Sequence, residues 1–121
     1  MLTPSEVAGF VVNTLDSKKA KNIKLLRTSE ITILTDYFVI CTAGSTTQLR
    51  TLSDEVEKVL KENGEIPLRR EGHRSSGWVL IDFSCVVVHL FLQEERDFYT
   101  LERLWGDAED IDINNIVVRK K

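Results

Sequence analysis

The 121 residues carry 16 Lys and Arg against 19 Asp and Glu, a net charge of −3, which gives no overall attraction to nucleic acid or to an anionic membrane. Apolar residues make up 42% and charged residues 29%, the composition of one folded domain and not of a disordered chain. No apolar run approaches the roughly 18 residues that cross a bilayer, and Met1 to Asn13 lacks the basic and apolar regions of a signal peptide, so the expected compartment is the cytoplasm.

The first helix opens at Thr3-Pro4-Ser5-Glu6. Thr3 is the expected cap, Pro4 suits the first helical position, and Glu6 completes a capping box. Val7, Phe10, Val11 and Leu15 recur on one face, and Lys18, Lys19 and Lys21 follow at the negative end of the helix dipole. Ile23 to Thr28 reads as a strand. Asp36 to Thr42, rich in aromatic and β-branched residues, reads as a buried one. Ala43-Gly44 ends that strand, and Ser45-Thr46-Thr47-Gln48 is a second capping box. Leu49, Leu52, Val56, Val59 and Leu60 then keep helical spacing up to Gly64, which sits where a C-cap belongs.

Leu68 to Arg74 is a charged strand and belongs near a sheet edge. Gly77 to Phe83 and Val86 to Leu92 are strong strands separated only by Ser84-Cys85, a hairpin-length gap. A third helix is expected to begin at Glu94-Glu95, to carry Phe98, Leu101 and Trp105 on one stripe, and to stop at Gly106. The tail, Asp107 to Lys121, runs acidic, apolar, then basic, and either adds a strand or hangs free. The order α-β-β-α-β-β-β-α predicts one mixed α/β sheet of about five strands with helices mainly on one face. Cys41 and Cys85 sit inside apolar runs and are expected as small core residues.

If Ser84-Cys85 is a two-residue turn, the pairing of the hairpin is fixed. Phe83, Ile81 and Val79 then oppose Val86, Val88 and Leu90, and form a purely apolar surface beneath the helices. On the other surface Asp82, Leu80 and Trp78 oppose Val87, His89 and Phe91. With helices on one face only, Trp78, Leu80, Val87 and Phe91 form an exposed apolar patch, the usual mark of a partner site. The competing expectation is that a helix or the tail covers this face too, as near-continuous apolar strands are often buried on both sides.

Catalytic constellations are sparse. His73 and His89 are the only histidines, and pairing them with Ser45 or Cys41 is arbitrary. The Gly44-Ser45 turn before a helix could cradle a phosphate, as in nucleotidyltransferases. That chemistry also needs paired carboxylates for two metals. The strand after the helix reads Leu68-Arg69-Arg70-Glu71, Asp82 stands alone, and Asp110 and Asp112 lie in the tail. A nucleotide-binding or nucleotidyl-transferring enzyme therefore remains the alternative class. Arg69, Arg70, His73 and Arg74 form a basic cluster, either solvated at an edge or in contact with RNA phosphate.

Taken together, Thr35-Asp36-Tyr37-Phe38-Val39-Ile40 with Gly44-Ser45, Glu71-Gly72 with Gly77-Trp78-Val79-Leu80-Ile81-Asp82, Val86-Val87-Val88-His89-Leu90-Phe91, and Tyr99, Leu101-Glu102 and Leu104-Trp105 resemble the ordered motifs of the ribosomal silencing factor (Iojap-like) family. The resemblance runs from about residue 3 to 108, so it implies a silencing-factor domain over 1–108 and a tail over 109–121. Ser84-Cys85 stands where members often have a Gly-Asp turn, and Thr47-Gln48-Leu49 where many have a histidine.

The resemblance implies a nucleotidyltransferase-like topology without catalysis, no cofactor and no metal, and a homodimer. It implies binding to the large ribosomal subunit through ribosomal protein fourteen, which blocks subunit joining sterically and represses translation, with a possible role in large-subunit assembly. Trp78, Leu80, Asp82, His89 and Phe91 are the expected docking face, with Tyr99 and Trp105 at its border and Glu94 and Glu95 among the rim acids.

Overall fold

A computed structural model describes residues 2–27, 35–73, 77–92 and 109–111. The expected third helix, with Glu94, Glu95, Tyr99 and Trp105, lies outside the described residues, as does Arg74. The elements are α1 (Pro4–Ser17), β1 (Lys21–Arg27), β2 (Tyr37–Ala43), α2 (Thr46–Glu62), β3 (Arg69–His73), β4 (Trp78–Asp82), β5 (Val86–Leu92) and β6 (Glu109–Ile111). They form one six-stranded mixed sheet in the order β3-β4-β5-β2-β1-β6. Among the described strands only β2 and β5 pair in parallel, at the centre; the other pairs are antiparallel. The strand count exceeds the expected five because the tail does add a strand: Ile111, Asp110 and Glu109 pair with Leu25, Leu26 and Arg27.

Local chemistry sets the helix ends. Thr3 and Glu6 form the full reciprocal capping box. At the C-terminus of α1, Lys19 N–H donates to Asp16 O and Ala20 N–H to Leu15 O, both at 3.0 Å. This is a Schellman closure with Lys19, at φ 64, in the position that usually takes glycine. α2 ends in the same way, with Gly64 at φ 85 in that position.

Both helices lie on one face of the sheet, as expected. Val7, Val11 and Leu15 of α1 and Leu49, Leu52, Val56 and Leu60 of α2 pack against Leu25, Val39, Cys41, Val79, Ile81, Val88 and Leu90. Every one of these is buried, and burial on this scale, about 25 cal/mol per Å² of apolar surface, is what holds the layers together. Cys41 belongs to this core, and Cys85 packs partly against it.

The predicted hairpin register is the observed one: Trp78, Val79, Leu80, Ile81 and Asp82 oppose Phe91, Leu90, His89, Val88 and Val87. At the turn, Ser84 has φ 73 and Cys85 N–H donates to Phe83 O at 3.0 Å, a tight γ-type turn. Asp82 Oδ1 accepts from Ser84 N–H at 2.7 Å and steadies it. The start of β2 grips the same turn, because Cys85 O accepts from Asp36 N, Tyr37 N and Thr35 Oγ1. The charged strand β3 is an edge strand, as its composition predicted.

Candidate functional site

The sheet face opposite α1 and α2 is built by register. Paired residues share a face, so this face carries Arg69 and Glu71 from β3, Trp78, Leu80 and Asp82 from β4, and Val87, His89 and Phe91 from β5. From β2 it carries Phe38, Ile40 and Thr42, and from β1 Lys21, Lys24 and Leu26. Its centre is apolar. Leu26, Phe38, Ile40 and Phe91 form a second, smaller buried cluster, with Trp78 and Val87 packed on it and partly exposed.

This corrects the expected patch. Phe91 is only 2% exposed and His89 only 6%, so neither is open surface; the neighbouring side chains of the same face, Phe38 and Trp78 among them, pack around them. Trp78, Leu80 and Val87 are half-buried, and they are what this face offers on β4 and β5. Asp82 is also engaged: besides Ser84 N–H, its carboxylate pairs with Arg69 Nε at 3.4 Å.

Aromatic rings order the centre of the face. Trp78 Nε1–H donates to His89 Nδ1 at 3.3 Å. The two rings lie 6.3 Å apart and 15° from parallel, and the His89 and Phe91 rings 5.9 Å apart and 5° from parallel. Phe38 meets His89 from β2 at 4.6 Å. Because Nδ1 accepts, the neutral imidazole carries its proton on Nε2, and Nε2 is buried without a partner among the described residues. Burial pushes the His89 pKa down from 6.5 to about 4, so at neutral pH the ring is uncharged. Its acceptor nitrogen holds the indole in one orientation, and a rigid aromatic side chain loses little freedom on binding.

The Gly44-Ser45 turn is not an open phosphate cradle. Ser45 caps α2 by accepting from Gln48 N–H, but the second half of the expected box is absent. The Gln48 side chain reaches past Ser45: its Oε1 accepts from Gly44 N–H at 2.6 Å, and its Nε2 donates to Lys18 O and Lys19 O at 3.1 Å each. The amide that would greet a phosphate is occupied, and the side chain staples α2 to the closing turn of α1. A Gln48→Ala variant should lose about 1–2 kcal/mol of stability, read as a lower urea midpoint; an unchanged midpoint would refute the staple.

Two further catalytic pairings fail on geometry. Asp82 sits in the row of Val87 and Phe38, five residues along β2 from Ala43, so roughly 15 Å or more separates it from Gly44-Ser45. Cys41 belongs to the helix-side core and His89 to the opposite face, so they cannot act together. Arg69 pairs with Glu71 and Asp82, and Arg70 with Glu57 and Asp54 of α2, so these two arginines of the basic cluster are matched within the chain. Sequence reasoning missed Ile66 and Leu68, each 72% exposed on the connection into β3; no periodicity marks so short a segment.

A family model described as "Ribosomal silencing factor during starvation" matches residues 2–121. A Halalkalibacterium halodurans protein named ribosomal silencing factor RsfS is 37% identical over 116 residues, 96% of this chain and 99% of its own length. A mouse protein named mitochondrial assembly of ribosomal large subunit protein 1 is 33% identical over 79% of this chain, which spans 43% of that protein. A crystal structure of a Chromobacterium violaceum protein superposes with a TM-score of 0.83 at 37% identity, covering 87% of this chain and 88% of that one. Motifs, sheet and relatives agree over nearly the whole chain, which belongs to the family of ribosomal silencing factors.

Proposed function

We propose that this protein binds the large ribosomal subunit through ribosomal protein fourteen, blocks joining of the small subunit by occupying its contact surface, and so lowers translation. The observation that carries this reading is the half-exposed apolar group Trp78, Leu80 and Val87 on the sheet face opposite α1 and α2. A tryptophan held by a partly buried hydrogen bond and rimmed by polar side chains has the character of an interface anchor. His89 and Phe91 support it from beneath rather than by contact, Asp82 holds the adjacent turn, and Tyr99 and Trp105 belong to its border.

Steric blocking requires no chemistry, which suits a face without a nucleophile–base pair among the described residues. The relatives' names, ribosomal silencing and assembly of the mitochondrial large subunit, support a ribosomal target and an added role in large-subunit assembly. The reading includes a homodimer acting in the cytoplasm, with no cofactor.

Cosedimentation with isolated large and small subunits tests it. The protein should pellet with the large subunit alone. Trp78→Ala should bind about thirtyfold more weakly, the effect of losing an anchor worth roughly 2 kcal/mol, with near-UV circular dichroism and melting showing that the variant is folded. Absence of binding to either subunit would overturn the reading.

A further inference from the structure

Most described arginines are matched by acids: Arg50 by Asp54, Arg69 by Glu71 and Asp82, Arg70 by Asp54 and Glu57. Lys18, Lys19 and Lys21 are different. All three are exposed, and none has an ion pair among the described residues. Their backbone is fixed by the Schellman closure of α1 and by Gln48 Nε2 on the carbonyls of Lys18 and Lys19. The first turn of α2, to which Gln48 ties the Lys18 and Lys19 backbone, contains no acid. Three unpaired positive charges therefore fall within four consecutive residues, 18–21, of a chain whose net charge is −3.

The fold does not ask for them. Lys19 occupies φ 64, where glycine or asparagine is the easier residue, and its like-charged neighbours repel it. Their position is informative as well. Lys21 opposes Thr42, Thr42 opposes Phe91, and Phe91 opposes Trp78. This single row crosses three strand spacings, roughly 14 Å, so Lys21 lies on the same face and at the same end of the sheet as the docking tryptophan.

We infer that Lys18, Lys19 and Lys21 form a basic corner that contacts ribosomal RNA phosphates when the protein sits on the large subunit; the inference rests on the docking reading above. RNA fits better than a protein partner. Ribosomal proteins are as a class basic and would repel the corner, whereas lysine ammonium groups pair with phosphate as point charges. The negative net charge means the corner cannot recruit RNA alone. It acts once the apolar face has docked, adding affinity and fixing orientation. The contact lies at this corner and not at Arg69 and Arg70, whose charges are matched within the chain.

The test is the salt dependence of binding to purified large subunits, with KCl varied from low to moderate concentration at constant magnesium. The protein is compared with the triple variant Lys18→Gln, Lys19→Asn, Lys21→Gln, in which asparagine suits the positive φ. Each phosphate contact adds about 0.7–0.9 to the slope of log affinity against log salt. The variant's slope should therefore be shallower by about two to three, and at the lowest salt it should bind at least about tenfold more weakly. Matched melting curves show that it is folded. Binding of isolated, RNA-free ribosomal protein fourteen should be unchanged.

If the parent protein does not bind subunits at any salt, the docking reading fails and this inference with it. If the parent binds and the variant matches its affinity and slope, the RNA contact alone is overturned. Equal weakening toward subunit and RNA-free protein overturns it too, since the lysines then touch protein.

Discussion

A Gly72→Ala variant is expected to melt about 15 °C below the parent protein, a loss of about 4 kcal/mol in a domain of this size. Gly72 lies in the middle of β3 at φ +99, and a Cβ built there would stand 2.2 Å from the Trp78 carbonyl oxygen and 3.0 Å from the Val79 Cα. Both costs act at once. The backbone angle alone is unfavourable for alanine by about 1–3 kcal/mol, and the clash is with main chain, which no rotamer change relieves. β3 and β4 must therefore separate or shift where Gly72 faces Val79. The displaced carbonyl belongs to Trp78, so the same change moves the side chain proposed to anchor the ribosome. Thermal and urea unfolding of the two proteins, side by side, check the expectation. A variant melting within two degrees or so of the parent would show that β3 does not need this conformation. Substituting Gly64, also at positive φ but with nothing within 4 Å of the place a Cβ would take, isolates the backbone contribution and should cost far less.

What the sequence disclosed divides by the range of the interaction involved. The β4–β5 register was legible residue by residue, because a two-residue gap leaves one pairing and alternation assigns the faces. Thr3 with Glu6, and Gly64 after Leu60, were legible for the same reason: capping is local. The central parallel pairing of β2 with β5 was not, since it joins segments about fifty residues apart with α2, β3 and β4 between them. Gln48 shows the same divide within one side chain. Its backbone N–H follows the local capping rule, while its amide is drawn away by the carbonyls of Lys18 and Lys19, thirty residues earlier in the chain. Arg70 read as a free cation until α2 brought Asp54 and Glu57 to it. In the candidate site the face assigned to Trp78, Leu80, Asp82, His89 and Phe91 is the observed one, whereas Phe91 and His89 are buried and not exposed. Alternation names the surface on which Phe91 and His89 lie, but their burial depends on how the neighbouring side chains of that surface pack around them. Gly72 was visible only as part of a motif, because a positive φ in mid-strand leaves no trace in hydrophobic pattern.

His89 gives the second large effect, as a loss of stability in mild acid. Its ring is buried among Trp78, Phe38 and Phe91, and its nearest cross-strand neighbours are Leu80 and Ile40. Desolvation by burial lowers its pKa, from 6.5 to about 4. Between those two values the unfolded chain holds a proton that the folded protein refuses, so stability falls as pH falls through this window. Above pH 6.5 the contribution is complete. By pH 4 it has gone, a change on the order of 3 kcal/mol from this residue. Carboxylates titrate lower in the same range, so the comparison is with His89→Phe, which keeps an aromatic ring in the stack and cannot be protonated. The variant gives up the acceptor for the Trp78 indole, at about 1 kcal/mol, and is less stable than the parent at pH 7. On acidification the two stability curves should converge and then cross. An NMR titration of the His89 ring carbons reads the same pKa directly. Parallel stability curves, or a midpoint near 6.5, would mean that water reaches the imidazole. The indole would then not be held by a dry hydrogen bond, and the rigidity that makes Trp78 a good anchor would have to come from packing alone.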